Sequence, residues 1–235
     1  MACSLALTPA SAWADPPEST SFFRDVAGDY VHFFSKGTAI WMGTGGGLAL
    51  AIHAADDDIR DATQGPNTFT TALEGGSWYG QGFVQIPLGL AWWGIGHAAG
   101  SAGGADAGRD IVRAQINTAT WTYALKFAVG RTRPNGDPRS FPSGHASASF
   151  ATAMVLQDHY GWKAGVPAFG AAAYTALSRL TDNKHWASDV MFGAFLGMAS
   201  ARTVTLHLRT ASVTVAPLAA PRTGGVLFIV ARPAW

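Results

Sequence analysis

Hydrophobic positions fall in long runs separated by short polar or glycine-rich breaks. The first run, residues 38–55, is interrupted by Gly43, Gly45, Gly46 and Gly47 and is closed by His53 and the acidic triplet Asp56, Asp57 and Asp58. It is about long enough to cross a bilayer, and such glycines suit a membrane helix better than one in water. The triplet is expected to be a solvated helix end, and a metal site there lacks other ligands at suitable spacing. Residues 60–76 carry polar turn signals and predict a loop. Residues 75–105 contain no Asp, Glu, Lys or Arg, and their apolar middle, 83–97, predicts a helix with Pro87 near its first turns. A glycine-rich link over 100–104 precedes a helix over 109–129. Lys126 lies in its last turn, where a cation complements the helix dipole, and Gly130 is a stop signal. A Pro- and Gly-rich loop over 131–141 leads to helices expected at 146–160, 165–180 and 185–208. Two of these helices end at cations and two begin near histidines, which brings the polar clusters to one end of a bundle. Beyond residue 209 the pattern changes to polar–apolar alternation at 212–215, turn residues at 221–225 and a β-prone run at 226–230. The expectation is an all-α bundle of about six helices over residues 15–209, followed by a short β-hairpin or extended tail over 210–235.

Composition refines this picture. With 235 residues the chain can form one domain with a substantial core. A net charge of +1 gives no support for a nucleic-acid partner. The charged fraction of 13% is about half that of an ordinary soluble protein, and with a mean hydropathy of +0.13 the chain lies between a soluble helical enzyme and a polytopic membrane protein. The small-x-small pattern Ala12-Trp13-Ala14 before Asp15 resembles the end of a secretory signal peptide, so residues 1–14 are expected to be a signal remnant. Cys3 is the sole cysteine. An intramolecular disulfide is thereby excluded, and cleavage after Ala14 would also leave no cysteine nucleophile.

The chemistry is concentrated between residues 126 and 189, in three clusters: Lys126 with Arg133-Pro134; Pro142-Ser143-Gly144-His145; and Ser178-Arg179 with His185 and Asp189. Three cations suit a dense anion, since Arg bonds phosphate oxygens bidentately and Lys adds a point charge. Ser143 is a good N-cap for the helix that follows. Free N–H groups at that N-terminus attract anions, and Gly144 allows close backbone approach. If the chain is helical from Trp186 onward, His185 and Asp189, four apart, share a face. A carboxylate on one ring nitrogen makes the other more nucleophilic. His145 is then available as the acid for a leaving oxygen. Singly, each cluster reads more readily as structural; together they fix too many identities for chance.

Lys-x6-Arg-Pro, Pro-Ser-Gly-His and Ser-Arg-x5-His-x3-Asp resemble the signature of the type 2 phosphatidic acid phosphatase (PAP2) superfamily, which also contains class A acid phosphatases and vanadium haloperoxidases. No signature position is substituted. The resemblance implies that His185 attacks phosphorus and forms a phosphohistidine, that Asp189 orients it, and that His145 protonates the leaving group and later helps to activate water. It further implies that Lys126, Arg133, Ser143, Gly144 and Arg179 hold the phosphoryl oxygens, with no metal and no cofactor, because cations and backbone dipoles stabilise the equatorial charge. Arg131 and Arg139 lie outside the signature and are expected to flank the pocket mouth or to be solvated. Ser178 belongs to the motif without an evident role.

The expected activity is therefore metal-independent hydrolysis of a phosphomonoester or diphosphate, on a lipid or small organic phosphate, by an exported, periplasmic-type enzyme, soluble or in contact with a membrane surface. Ionisable residues such as Arg109, Asp110 and Arg113 weigh against spanning helices, and an integral inner-membrane protein is the alternative. The rival functions are a vanadium-dependent haloperoxidase and a non-catalytic phosphate- or lipid-binding protein. The former is usually a much longer chain; the latter has no need of a His185–Asp189 pair.

Overall fold

A computed structural model describes residues 22–64, 68–205, 212–218 and 225–231. In chain order the helices are α1 (Phe22–Phe33), α2 (Lys36–His53), α3 (Asp56–Thr63), α4 (Thr68–Leu73), α5 (Gly76–Tyr79), α6 (Gly82–Ala98), α7 (Ala102–Val129), α8 (Gly144–Tyr160), α9 (Trp162–Thr181) and α10 (Ala187–Val204). Six of them, α2 and α6 to α10, have 17 residues or more. The strands β1 (Ser212–Leu218) and β2 (Gly225–Ala231) pair antiparallel, Ser212 opposite Ala231 and Leu218 opposite Gly225. The sequence expectation of a helical bundle followed by a hairpin matches this architecture. The expected signal remnant, 1–14, lies outside the described residues.

Several boundaries differ from the sequence reading, each for a local reason. Ser35, just before the apolar run, caps α2, its Oγ accepting the Thr38 N–H at 3.2 Å, so that α1 is a separate helix. The stretch expected as a loop holds α3 and α4. The aspartates open α3, where negative charge suits the helix dipole. Ser101 Oγ accepts the Gly104 N–H at 3.2 Å, which starts α7 inside the expected link. At the other end Gly130 adopts φ 63° and its N–H reaches the Lys126 carbonyl, as its glycine suggested.

The 28-residue α7 runs through the middle of the bundle, about 42 Å at 1.5 Å per residue. Ile111 and Ala114 of α7, Ala151 and Val155 of α8, and Ala201 of α10 are fully buried in one cluster. Small residues bring the backbones together. A Cβ on Gly108 would lie 2.2 Å from the Trp93 nitrogen of α6, and one on Gly197 would lie 2.0 Å from the Ser147 carbonyl oxygen of α8. Polar side chains tie the same helices laterally. Gln115 donates to the Ala148 carbonyl and to Thr152, each at 2.9 Å, and Thr152 donates to Gln85 of α6 at 2.6 Å.

Candidate active site

Because α7 to α10 run alternately up and down, the C-termini of α7 and α9 meet the N-termini of α8 and α10. That end of the bundle holds a cavity of about 390 Å³ lined by Lys126, Arg133, Gly144, His145, Arg179 and His185. Ile86, Ala119, Tyr123 and Phe127 form an apolar side of the same cavity. Ser143 and Asp189 are fully buried behind it.

Each polar group is held by its own element. Lys126 projects from the last turn of α7, and its Nζ donates to the carbonyls of Arg139 at 2.8 Å and Ser140 at 3.4 Å. Burial, then the neighbouring Arg133, lowers its pKa to about 8, against the opposing pull of Asp189. Arg179 ends α9 and pairs through Nη1 with Asp182 at 2.8 Å. The buried Nε of Arg179 and that of Arg133 have no hydrogen-bond partner, donors that fit an oxyanion. Ser143 Oγ accepts the Ala146 N–H at 3.4 Å and starts α8. The N–H groups of Gly144 and His145 then have no partner within the helix, at the end where the dipole favours negative charge.

The two imidazoles are kept neutral in the open pocket. His185 is lowered to about 4, chiefly by burial, with Lys126 and Arg133 acting in the same direction and Asp189 against them. His145 is lowered to about 3 by burial and then by Arg179, His185, Lys126 and Arg133. A bound phosphoryl group would offset those charges and return affinity for a proton to His145.

His185 and Asp189 are adjacent, but not as the i,i+4 helical pair expected. α10 begins at Ala187, so His185 precedes the helix while Asp189 sits in its first turn. Their closest approach, Nδ1 to Oδ2, is 3.7 Å, beyond hydrogen-bonding range. His185 Nδ1 is without a hydrogen-bond partner. Asp189 Oδ2 instead accepts from Ser140 Oγ and from the Trp186 N–H, the latter at 3.0 Å. Burial opposes ionisation of Asp189, but the facing His185, Ser140, the Trp186 N–H and Arg131 outweigh it and hold the pKa below the usual carboxylate value.

Arg131 corrects the sequence reading. It is neither solvated nor at the cavity mouth: Nη1 donates to Asp189 Oδ1 at 2.7 Å and Nη2 to Asp56 Oδ2 at 2.8 Å. Asp56 is also not a solvated helix end. It is 4% exposed and accepts from the Ser188 N–H at 2.9 Å and Ser188 Oγ at 2.6 Å. Neither Ser140 nor the Asp56–Ser188 pair carried a sequence signal; the latter partners are 132 residues apart. Arg139 does line the cavity, its guanidinium 4.3 Å above the Phe127 ring centroid. Ser178 is buried under α5: a Cβ on Gly76 would lie 2.8 Å from the Ser178 Cβ, so a small side chain is needed there. Among the described residues no three His, Cys, Asp or Glu side chains are grouped to hold a metal ion.

Residues 111–212, which contain all three clusters, match the family model of the PAP2 superfamily. Over that segment the chain is similar to that superfamily. The lipid A 1-phosphatase of Porphyromonas gingivalis is 31% identical over 157 residues, 64% of this chain and 34% of that protein, so the chain spans about a third of its relative's length. The fold is shared with the crystal structure of Aquifex aeolicus LpxE, with a TM-score of 0.51 and 22% identity over 63% of this chain and 90% of that one. It is shared also with a transmembrane PAP2-type phosphatidylglycerolphosphate phosphatase from Bacillus subtilis, with a TM-score of 0.56 and 18% identity over 79% of this chain and 93% of that one.

Proposed function

We propose that this protein is a phosphatase that hydrolyses a lipid phosphate through a phosphohistidine. The observation that carries the reading is the convergence of Lys126, Arg133, Arg179, the α8 N-terminus and two neutral imidazoles on one cavity. Nδ1 of His185 faces Asp189, which leaves the Nε2 lone pair for phosphorus. His145 takes up a proton from solvent as the phosphoryl group binds; as the N–P bond forms, the P–O bond to the leaving group breaks and the His145 imidazolium gives that proton to the departing oxygen. The imidazole becomes a phosphoimidazolium, whose positive charge the Asp189 carboxylate stabilises. Water then attacks phosphorus, giving a proton to His145 as the N–P bond breaks, and inorganic phosphate leaves. Throughout, the cations and the N–H groups of Gly144 and His145 hold the equatorial oxygens.

The lipid class is supported by the apolar side of the cavity. Tyr123 and Phe127 line it and are 60% and 65% exposed, which suits a headgroup whose tails continue outward. The P. gingivalis relative carries a lipid A phosphatase name. Among the described residues no helix is long and apolar enough to cross a membrane, and contact with a lipid surface is part of this proposal.

The test is phosphate release from phosphatidate, phosphatidylglycerophosphate, polyprenyl diphosphate and a soluble chromogenic ester. We expect turnover of a lipid substrate, unchanged by EDTA, inhibited by vanadate and abolished in His185→Ala. Full activity in His185→Ala would refute the nucleophile, and turnover of the soluble ester alone would refute the lipid class.

A further inference from the structure

We propose that Arg131 is a positioning residue for the reaction, and that Asp56, at the α2–α3 corner outside the family-matched segment, anchors it. This rests on the phosphatase reading for its catalytic meaning, but its geometry is independent of that reading.

Asp189 has two oxygens with different tasks. Oδ2 serves Ser140 and the Trp186 N–H and lies 3.7 Å from His185 Nδ1. Oδ1 is held by Arg131 Nη1 at 2.7 Å. With one oxygen clamped, the carboxylate cannot rotate, and Oδ2 stays turned toward the imidazole. The clamp is itself fixed from the far side. Arg131 Nη2 donates to Asp56 Oδ2 at 2.8 Å and lies 3.1 Å from His53 Nδ1, while Nη1 also donates to Ser188 Oγ at 2.8 Å. The guanidinium carbon sits 5.3 Å from the Trp186 ring centroid, and Trp186 Nε1 donates to the Thr132 carbonyl at 2.8 Å. One planar fork therefore spans two carboxylates that are 4% and 0% exposed. A lysine ammonium is a point charge on a flexible stem and cannot reproduce that span.

Two buried carboxylates sharing one guanidinium also set the field at His185. Removing the guanidinium charge leaves Asp189 freer to attract a proton onto the imidazole, so the pKa of His185 rises. Lys126 and Arg133, which repel that proton from α7 and from the loop, are untouched by the change, as is His145.

The experiment compares wild type, Arg131→Lys, Arg131→Gln, Asp56→Asn, the double variant Asp56→Asn/Arg131→Lys, and Asp57→Asn. Asp57 is a neighbouring aspartate with 76% exposure, paired only at the surface with Arg60. On whichever substrate of the screen above is turned over, Arg131→Lys and Asp56→Asn should each lower kcat about tenfold to a hundredfold, the range seen when the outer partners of a catalytic ligand are removed, with KM within about twofold. The double variant should be no slower than Arg131→Lys, because Asp56 acts through Arg131, and Asp57→Asn should match wild type. Additive losses, a loss in KM alone, or wild-type kcat in both single variants would overturn the proposal. NMR titration of the histidine imidazoles, with His185 assigned by its absence in His185→Gln, needs no turnover. The His185 midpoint should move upward in Arg131→Gln, and an unmoved midpoint overturns the positioning role even if the wild type proves inactive on every phosphoester, an outcome that would sink the phosphatase reading alone.

Discussion

At the scale of single residues, the site works by making cations and imidazoles share a poorly solvated space. Lys126 illustrates the consequence. Its proposed task is to hold an anion as an ammonium, and burial beside Arg133 brings its pKa to about 8. A lowered lysine is charged below that value and neutral above it, so kcat/KM should fall as pH rises through about 8. Lys126→Arg, which stays protonated, should remove that limb, and an unchanged alkaline limb in the variant would assign it to another group. His185 sets the opposite limb. Its pKa of about 4 keeps this imidazole neutral through the whole physiological range, so that on the proposed mechanism kcat/KM falls on acidification past that value. Every signature residue was visible as a letter, and the serine cap, the αL glycine at 130 and the cation at the end of α7 could be read from local rules. Arg131 could not. Lying outside the signature, it reads as a cation at the pocket mouth or in solvent, yet its guanidinium turns inward to Asp189 and Asp56.

At the scale of elements, the site depends on how closely α8 and α10 approach. The Ser143 N–H donates to the Asp189 carbonyl at 3.0 Å, and a Cβ on Gly193 would lie 2.6 Å from the Ser143 carbonyl oxygen. Backbone meets backbone across this seam, close to His185. A side chain at Gly193 or Gly197 must therefore move α8, and with it His145 and the N–H groups of its first turn. Gly197→Ala should destabilise the fold by about 1–3 kcal/mol, as overpacking does, measured as a shift in the denaturant midpoint. Gly94, where a Cβ would meet nothing within 4 Å, is the control, and Gly94→Ala should leave the midpoint where it is or raise it slightly. Helix existence was legible from apolar runs, because burial of one stripe leaves a period in the sequence. The short helices α3 and α4 were not legible. Their polar composition matches a loop, and they are held by docking on α9, where Tyr174 donates to the Ala72 carbonyl at 2.9 Å and Gln64 to the Leu180 carbonyl at 3.1 Å.

At the scale of the whole molecule, apolar side chains are placed on the outside as well as within. Ile40 and Leu50 on α2, Phe83 and Ile95 on α6, and Trp162 and Val166 on α9 are all more than 60% exposed. Exposed apolar area of this extent marks an interaction surface. If that surface meets lipid, the protein should co-sediment with phosphatidylglycerol vesicles and resist release by high salt, since the contact is apolar rather than ionic; recovery in the supernatant would refute it. The buried interior is separate from this surface. Ile111→Ala, at a fully buried core position, should cost about 2–5 kcal/mol without altering the pH limbs described above.

Taken by itself, the sequence determined the chemistry that the protein can offer and the helices that carry it. Identities, caps and apolar periods are local properties, and the inventory of three cations, two imidazoles and a carboxylate follows from the spelling of three motifs. Only the tertiary structure decided which groups are partners. Asp56, Ser140 and Arg131 acquire meaning from packing between segments far apart in the chain, where burial makes an unpaired charge costly and so selects the carboxylate that each donor meets.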